Sequence, residues 1–89
     1  MKNSKDKSSE STNKINQESY SWRELCDNYV SEHYGKNRFD AGEYMGGNTE
    51  TGLHGVWYYD QMKKGYYLNV VANEKTGKIV SAVMEKLTE

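Results

Sequence analysis

Apolar positions along the chain follow two different periods. From Trp22 to His33 they recur as Trp22, Leu25, Cys26, Tyr29, Val30 and His33, in steps of three and four that gather on one side of an α-helix. Arg23, Glu24, Asp27, Asn28, Ser31 and Glu32 take the other side. Ser21, with Glu24 three residues later, forms a capping-box start, and Gly35 supplies the stop. From residue 55 onward the spacing changes. The stretch 55–84, GVWYYDQMKKGYYLNVVANEKTGKIVSAVM, gathers Val, Ile, Tyr and Trp into short runs split by polar segments at 61–64 and 74–77. Such runs, separated by Gly- and Asn-bearing loops, predict an antiparallel meander. Residues 38–45 (RFDAGEYM) predict an earlier strand with Phe39, Ala41, Glu43 and Met45 on one side. Residues 46–53 (GGNTETGL) predict a flexible loop, a candidate binding lip that holds Asn48 and leads to His54. The predicted fold is α+β, with one N-terminal helix packed on a three- to four-stranded antiparallel meander.

Hairpin length decides which side chains share a face. Four-residue loops at 61–64 and 74–77 set Asp60 opposite Gly65 and Asn73 opposite Lys78. Alternation then sends Trp57, Tyr59, Tyr66, Leu68, Val70, Ala72, Ile79 and Val83 to one face, the more apolar one, which is assigned to the helix. Val56, Tyr58, Tyr67, Asn69, Val71, Val80, Ala82 and Met84 go to the other. A sheet with one wet face normally alternates apolar and polar residues, and this one does so poorly. Three explanations stand side by side: the first strand and long loop fold over the second face, two copies pair through it, or it binds a partner. A bulge in either hairpin would exchange the faces locally.

Composition narrows the possibilities. Residues 1–19 contain Ile15 as their single large aliphatic residue beyond Met1, too little to offset the entropy of ordering them. They read as a disordered polar tail or tether, leaving residues 20–89 as one small domain near the lower limit for a single core. Eight Tyr, two Trp and one Phe supply the apolar mass, and a single Cys rules out an intrachain disulfide. A net charge of −1 argues against a general nucleic-acid binder, and no apolar stretch approaches the ~20 residues of a membrane span. The Ser/Lys/Asn-rich start resembles the spacer that follows the lipidated cysteine of bacterial lipoproteins. That resemblance implies an extracytoplasmic, membrane-tethered or secreted protein, its lipid-bearing cysteine absent from this chain; a cytoplasmic location is the alternative.

Catalytic chemistry finds little support. Cys26 and His33 lie about 10 Å apart along the helix axis, too far for a thiol–imidazole pair. His54 reads as a partly exposed loop residue. No spacing motif gathers His33, His54 and a carboxylate into a metal site, and nothing singles out a working pair from Glu43, Glu50 and Asp60. Lys63, Lys64, Lys75 and Lys78 fall at opposite ends of the meander and read as solvated loop charges. No cofactor and no enzymatic activity are expected.

Residues 66–80, YYLNVVANEKTGKIV, resemble the terminal hairpin of PepSY-type domains, in which a Tyr/Val strand enters an Asp-x-x-Thr-Gly-Lys turn and returns as a Val/Ile strand. The helix–strand–hairpin order is similar to that module, and to a cystatin-like helix on a sheet. The resemblance implies a small extracytoplasmic module, in some cases part of a peptidase propeptide. The functional expectation is a non-catalytic binding module that binds or inhibits a peptide, peptidase or toxin. Its contacts would come from Tyr58, Tyr67, Val71 and Met84, with Asn69 as a hydrogen-bonding group and Asn48 and His54 at the lip. The alternative is a phage- or plasmid-type accessory protein that forms a homodimer through the same face.

Overall fold

The computed structural model describes residues 20–88; the predicted polar tail lies outside the described residues. Helix α1 (Trp22–Tyr34) precedes strands β1 (Glu43–Asn48), β2 (Leu53–Tyr59), β3 (Tyr66–Asn73) and β4 (Lys78–Lys86). The strands form one antiparallel sheet in the order β1-β2-β3-β4, and α1 packs on one side of it. The α+β meander is the predicted fold.

The helix begins and ends where its sequence dictates. Ser21 Oγ accepts the Glu24 N–H at 3.2 Å, satisfying one of the orphan donors of the first turn. At the far end Gly35 takes φ 89° and its N–H donates to Ser31 O. Cys26 and Val30 enter the core, with Trp22 and Leu25 packed beside them. Burial pushes the Cys26 thiol up to about 11, so it stays protonated and unreactive at neutral pH.

The core of the sheet is Val56, Leu68, Val70 and Ala72, all at 0 % exposure, closed by Tyr58 and Phe39. This assignment corrects the predicted faces of β2. Asp60 lies opposite Tyr66 rather than Gly65, its N–H donating to Tyr66 O at 2.9 Å, and the loop spans 61–65. The cause is the Asp60 side chain. Its Oδ1 accepts the N–H groups of Met62 (2.8 Å) and Lys63 (3.0 Å), which curls the chain through a wider turn. One added loop residue exchanges the faces of β2, so Val56 and Tyr58 meet the helix while Trp57 and Tyr59 face away.

The last hairpin starts in the predicted register, Asn73 opposite Lys78 and Ala72 opposite Ile79. A bulge then leaves Val80 unpaired, and Val71 pairs with Ser81. Beyond it Ala82 and Met84 turn to the core side and Val83, half exposed, to the other. Tyr58, predicted to contact a partner, is therefore an interior residue, and Met84, predicted likewise, is partly buried against the core. Tyr58 also anchors the helix: its hydroxyl donates to Asp27 Oδ1 at 2.6 Å, and burial together with that bond drives the phenol far above its usual range.

The first strand is also displaced from its predicted span. Phe39 forms an isolated bridge with Asp60 and is buried, and β1 starts at Glu43 and runs through Gly46 and Gly47. The glycines that read as a loop are needed inside the strand. A Cβ on Gly47 would lie 2.1 Å from His54 Nδ1, and Gly46 sits at a β-bulge with φ 119°. The turn shrinks to residues 49–52 and is shaped by Asn48, whose Oδ1 accepts the Glu50 N–H at 2.8 Å. β1 extends the sheet sideways and does not cover its second face.

Candidate functional site

The face away from α1 is built in rungs. One crosses the sheet as Glu43–Trp57–Asn69–Val83, the next as Tyr59–Tyr67–Glu85, and on the other side runs Gly46–Gly55–Val71–Ser81. Trp57 and Tyr67 stack diagonally across β2 and β3, centroids 4.1 Å apart and planes at 27°. Tyr59 completes the cluster, edge-on to Trp57 at 6.5 Å. The phenols are tied to carboxylates: Tyr59 donates to Glu43 Oε1 at 2.9 Å and Tyr67 to Glu85 Oε1 at 2.6 Å. Those hydrogen bonds, with burial second, raise both phenol pKa values and fix the rings in place. Among the described residues no helix or strand packs on this side.

Beside the aromatic cluster lies a gap. Gly46 and Gly55 pair across β1 and β2, so their rung carries no side chain on those two strands. Tyr67 stacks on one ring face of Trp57, and Gly55 lies two residues before Trp57 on the same side of β2. Backbone geometry explains Gly46 but not Gly55, which has no positive φ and whose hypothetical Cβ would be 4.0 Å from its nearest neighbours. A glycine in a central strand costs about 0.5–1 kcal/mol relative to alanine. Gly55→Val is therefore expected to stabilise the protein by that amount and raise Tm by roughly 2–8 °C in a thermal melt followed by circular dichroism. A lower Tm would mean that the space above Gly55 is not open. Gly55 therefore leaves space above the sheet that no backbone requirement explains.

Of the predicted site residues, the structure gathers Tyr67, Asn69 and Val71 on this face, with Tyr67 itself buried at 7 % exposure, and places Tyr58 and Met84 on the core side. Asn48 is a turn former. His54 is not a partly exposed residue but buried at 5 % exposure. Its Nδ1 pairs with the Tyr44 hydroxyl at 2.8 Å, and Trp22 stacks on Tyr44 at 4.3 Å and on His54 at 5.4 Å. Its Nε2 lies 3.2 Å from Glu74 Oε2 without the alignment of a hydrogen bond. This cluster ties β1, the turn after β3 and the helix start together. Trp57, Tyr59, Val83, Glu43 and Glu85 belong to the exposed face, and the sequence reading missed that placement. The Asx-turn chemistry of Asp60 ahead of Gly65 was the available signal.

Two other places gather polar or reactive side chains. A cleft of about 400 Å³ between α1 and residues 35–41 is lined by Arg23, Asp27, Lys36, Asp40 and Tyr58. Most of its polar groups already serve the fold. Arg23 donates to the carbonyls of Ala41 and Gly42, Asp27 accepts from Tyr58, and Asp40 Oδ1 accepts from the N–H groups of Gly42 and Tyr59. Cys26 is enclosed, whereas His33 is exposed with Nδ1 2.9 Å from Tyr29 O, so the two do not meet. Among the described residues no group of three or more His, Cys, Asp or Glu could hold a metal ion, and no helix is long and apolar enough to cross a membrane. Lys63 lies over the Tyr66 ring at 4.2 Å, whereas Lys75 donates to Glu50 O at the other end, so these two make no shared basic patch. No protein-family model, curated protein or solved structure matches the chain.

Proposed function

We propose that this chain is a non-catalytic binding module that docks a protein or peptide on the sheet face carrying Trp57, Tyr59, Tyr67, Asn69, Val71 and Val83. The observation that carries the reading is the side-chain-free rung at Gly46 and Gly55 beside a fixed aromatic cluster, on a face that no described element covers. Trp and Tyr held rigid in advance lose little entropy on binding, and such residues dominate protein recognition. Docking on the face is favoured over pairing along an edge. Both outer strands contain a bulge, near Met45 in β1 and at Val80 in β4, which twists an edge away from a straight partner strand. Inhibition or sequestration of a peptide, peptidase or toxin is the form that fits a module without a catalytic constellation among its described residues. The PepSY-like hairpin at 66–80 fits an extracytoplasmic setting for it.

The test is selection of peptides from a random library on the immobilised full chain, followed by ¹⁵N-correlation spectra. Selected peptides are expected to shift the signals of Trp57, Asn69, Val71 and Val83. Gly55→Trp, which fills the gap, should weaken them by about tenfold or more. Peptides that shift only α1 or the Arg23–Tyr58 cleft, or that bind Gly55→Trp equally well, overturn the reading. Sedimentation of the wild type addresses the homodimer: a dimer that Gly55→Trp dissociates would put a second copy in the partner's place.

A further inference from the structure

The carboxylates around the aromatic cluster say more about the occupant, on the premise that this face is a docking surface. Glu43 and Glu85 each accept one phenol hydrogen through Oε1. Among the described residues neither carboxylate has a Lys or Arg within ion-pair distance, unlike Asp27 with Arg23 and Asp60 with Arg38. Asp40 adds a third negative charge beside Tyr59, whose N–H donates to its Oδ1. Lys78 stands at the far end of the face, opposite Asn73; Lys63, over the Tyr66 ring, and Lys86, opposite Tyr66, lie at the aromatic end but in the rung that shares the helix side with Leu68. The aromatic end of the face therefore combines an acidic border with the Trp57–Tyr67 π-surface, and both features attract a cation.

We infer that the gap over Gly46 and Gly55 receives an arginine side chain of a protein partner, its guanidinium flat against Trp57 and hydrogen-bonded to the second carboxylate oxygen of Glu43. Glu43 and Trp57 are direct cross-strand neighbours, so the acceptor stands at the border of the stacking surface. A planar guanidinium can stack on an indole and donate in its own plane at once, which an ammonium cannot do. The missing Cβ atoms admit its width. Leu53 and Val71 border the site with apolar surface, which suits the aliphatic stem and neighbouring residues of a peptide better than a free inorganic cation. Glu85, at the opposite corner, contributes attraction over distance and no direct contact.

The test uses the full chain and two probes, the capped peptides acetyl-Leu-Arg-Leu-amide and acetyl-Leu-citrulline-Leu-amide, which share a shape and differ in charge. The arginine peptide is expected to shift the Trp57 indole N–H and to bind at least about fivefold more tightly than the citrulline peptide. Added salt should reduce that preference. Glu43→Gln keeps an acceptor for the Tyr59 hydroxyl and removes the charge, so it should abolish the preference while leaving the fold and the aromatic cluster intact. Equal binding of both peptides, still sensitive to Gly55→Trp, overturns the arginine inference and spares the docking face. If neither these probes nor the library-selected peptides respond to Gly55→Trp, both fall. Shifts confined to the cleft around Arg23 and Asp27 overturn the inference as well.

Discussion

Leu68→Ala is expected to remove most of the stability of the fold, whereas Val83→Ala, one residue along β4 from Leu68's partner Met84, should hardly change it. Leu68 is fully enclosed and pairs with Tyr58 on one side and Met84 on the other, at the centre of the packing beneath α1. Truncating such a leucine costs about 2–5 kcal/mol through lost transfer energy and the cavity left behind. A domain of this size has only about 3–10 kcal/mol in total. Val83 is 50 % exposed on the opposite face, and substitutions there stay within about 0.5 kcal/mol. Urea unfolding followed by circular dichroism would separate the two variants by a large change in midpoint. Comparable midpoints would mean that the face assignment is wrong.

The contrast between those two residues also marks what was legible in the sequence. Helix α1 could be read almost to the residue, because its cap, its stripe and its terminal glycine are local features that no distant contact overrides. The same holds for β3 and its exit turn, where Asn73 Oδ1 accepts from the N–H groups of Lys75 and Thr76 and Asn73 stays opposite Lys78. The faces of β2 depend instead on whether the loop that follows it is even or odd, a single bit that alternation cannot supply. Asp60 sets that bit, because its carboxylate is drawn into the loop by two backbone N–H groups and by Arg38, which lies twenty-two positions earlier. The Val80 bulge sets a second. Together they sent Tyr58 and Met84 inward and Trp57, Tyr59 and Val83 outward. The candidate site was thus visible as an excess of apolar residues on two faces, while its membership hung on two irregularities. The strand character of Gly46 and Gly47 was hidden for another reason. Glycine usually marks a loop, and only the His54 ring lying against Gly47 explains why a strand should contain it.

Asp60→Ala is the second large expected effect, and it has a pH dependence that identifies its cause. The Asp60 side chain is fully enclosed. Its two oxygens accept Arg38 Nε at 2.9 Å and Nη2 at 2.8 Å, and Oδ1 also serves the Met62 and Lys63 amides. The Arg38 hydrogen bonds, with the amides adding to them, hold the carboxyl far below the ordinary carboxylate range despite the opposing effect of burial. Removing it leaves two amides unpaired and the guanidinium without its partner, at a cost of about 2–4 kcal/mol. Because the folded pKa lies below the unfolded value of about 3.9, the charged form is favoured by folding. Its contribution is complete well above that value and drains away as pH falls through it toward the folded pKa. The gap in urea midpoint between wild type and Asp60→Asn, which retains an acceptor for the amides but not the charge, should therefore be full at pH 7 and narrow steadily below about pH 5. A gap independent of pH would assign the loss to packing instead of charge. The same variant bears on the docking face, since the turn held by Asp60 is what points Trp57 and Tyr59 away from the helix. If Asp60→Ala relaxes the loop by one residue, the Trp57 indole signal should move toward that of a buried ring and binding at Gly55 should fail with it.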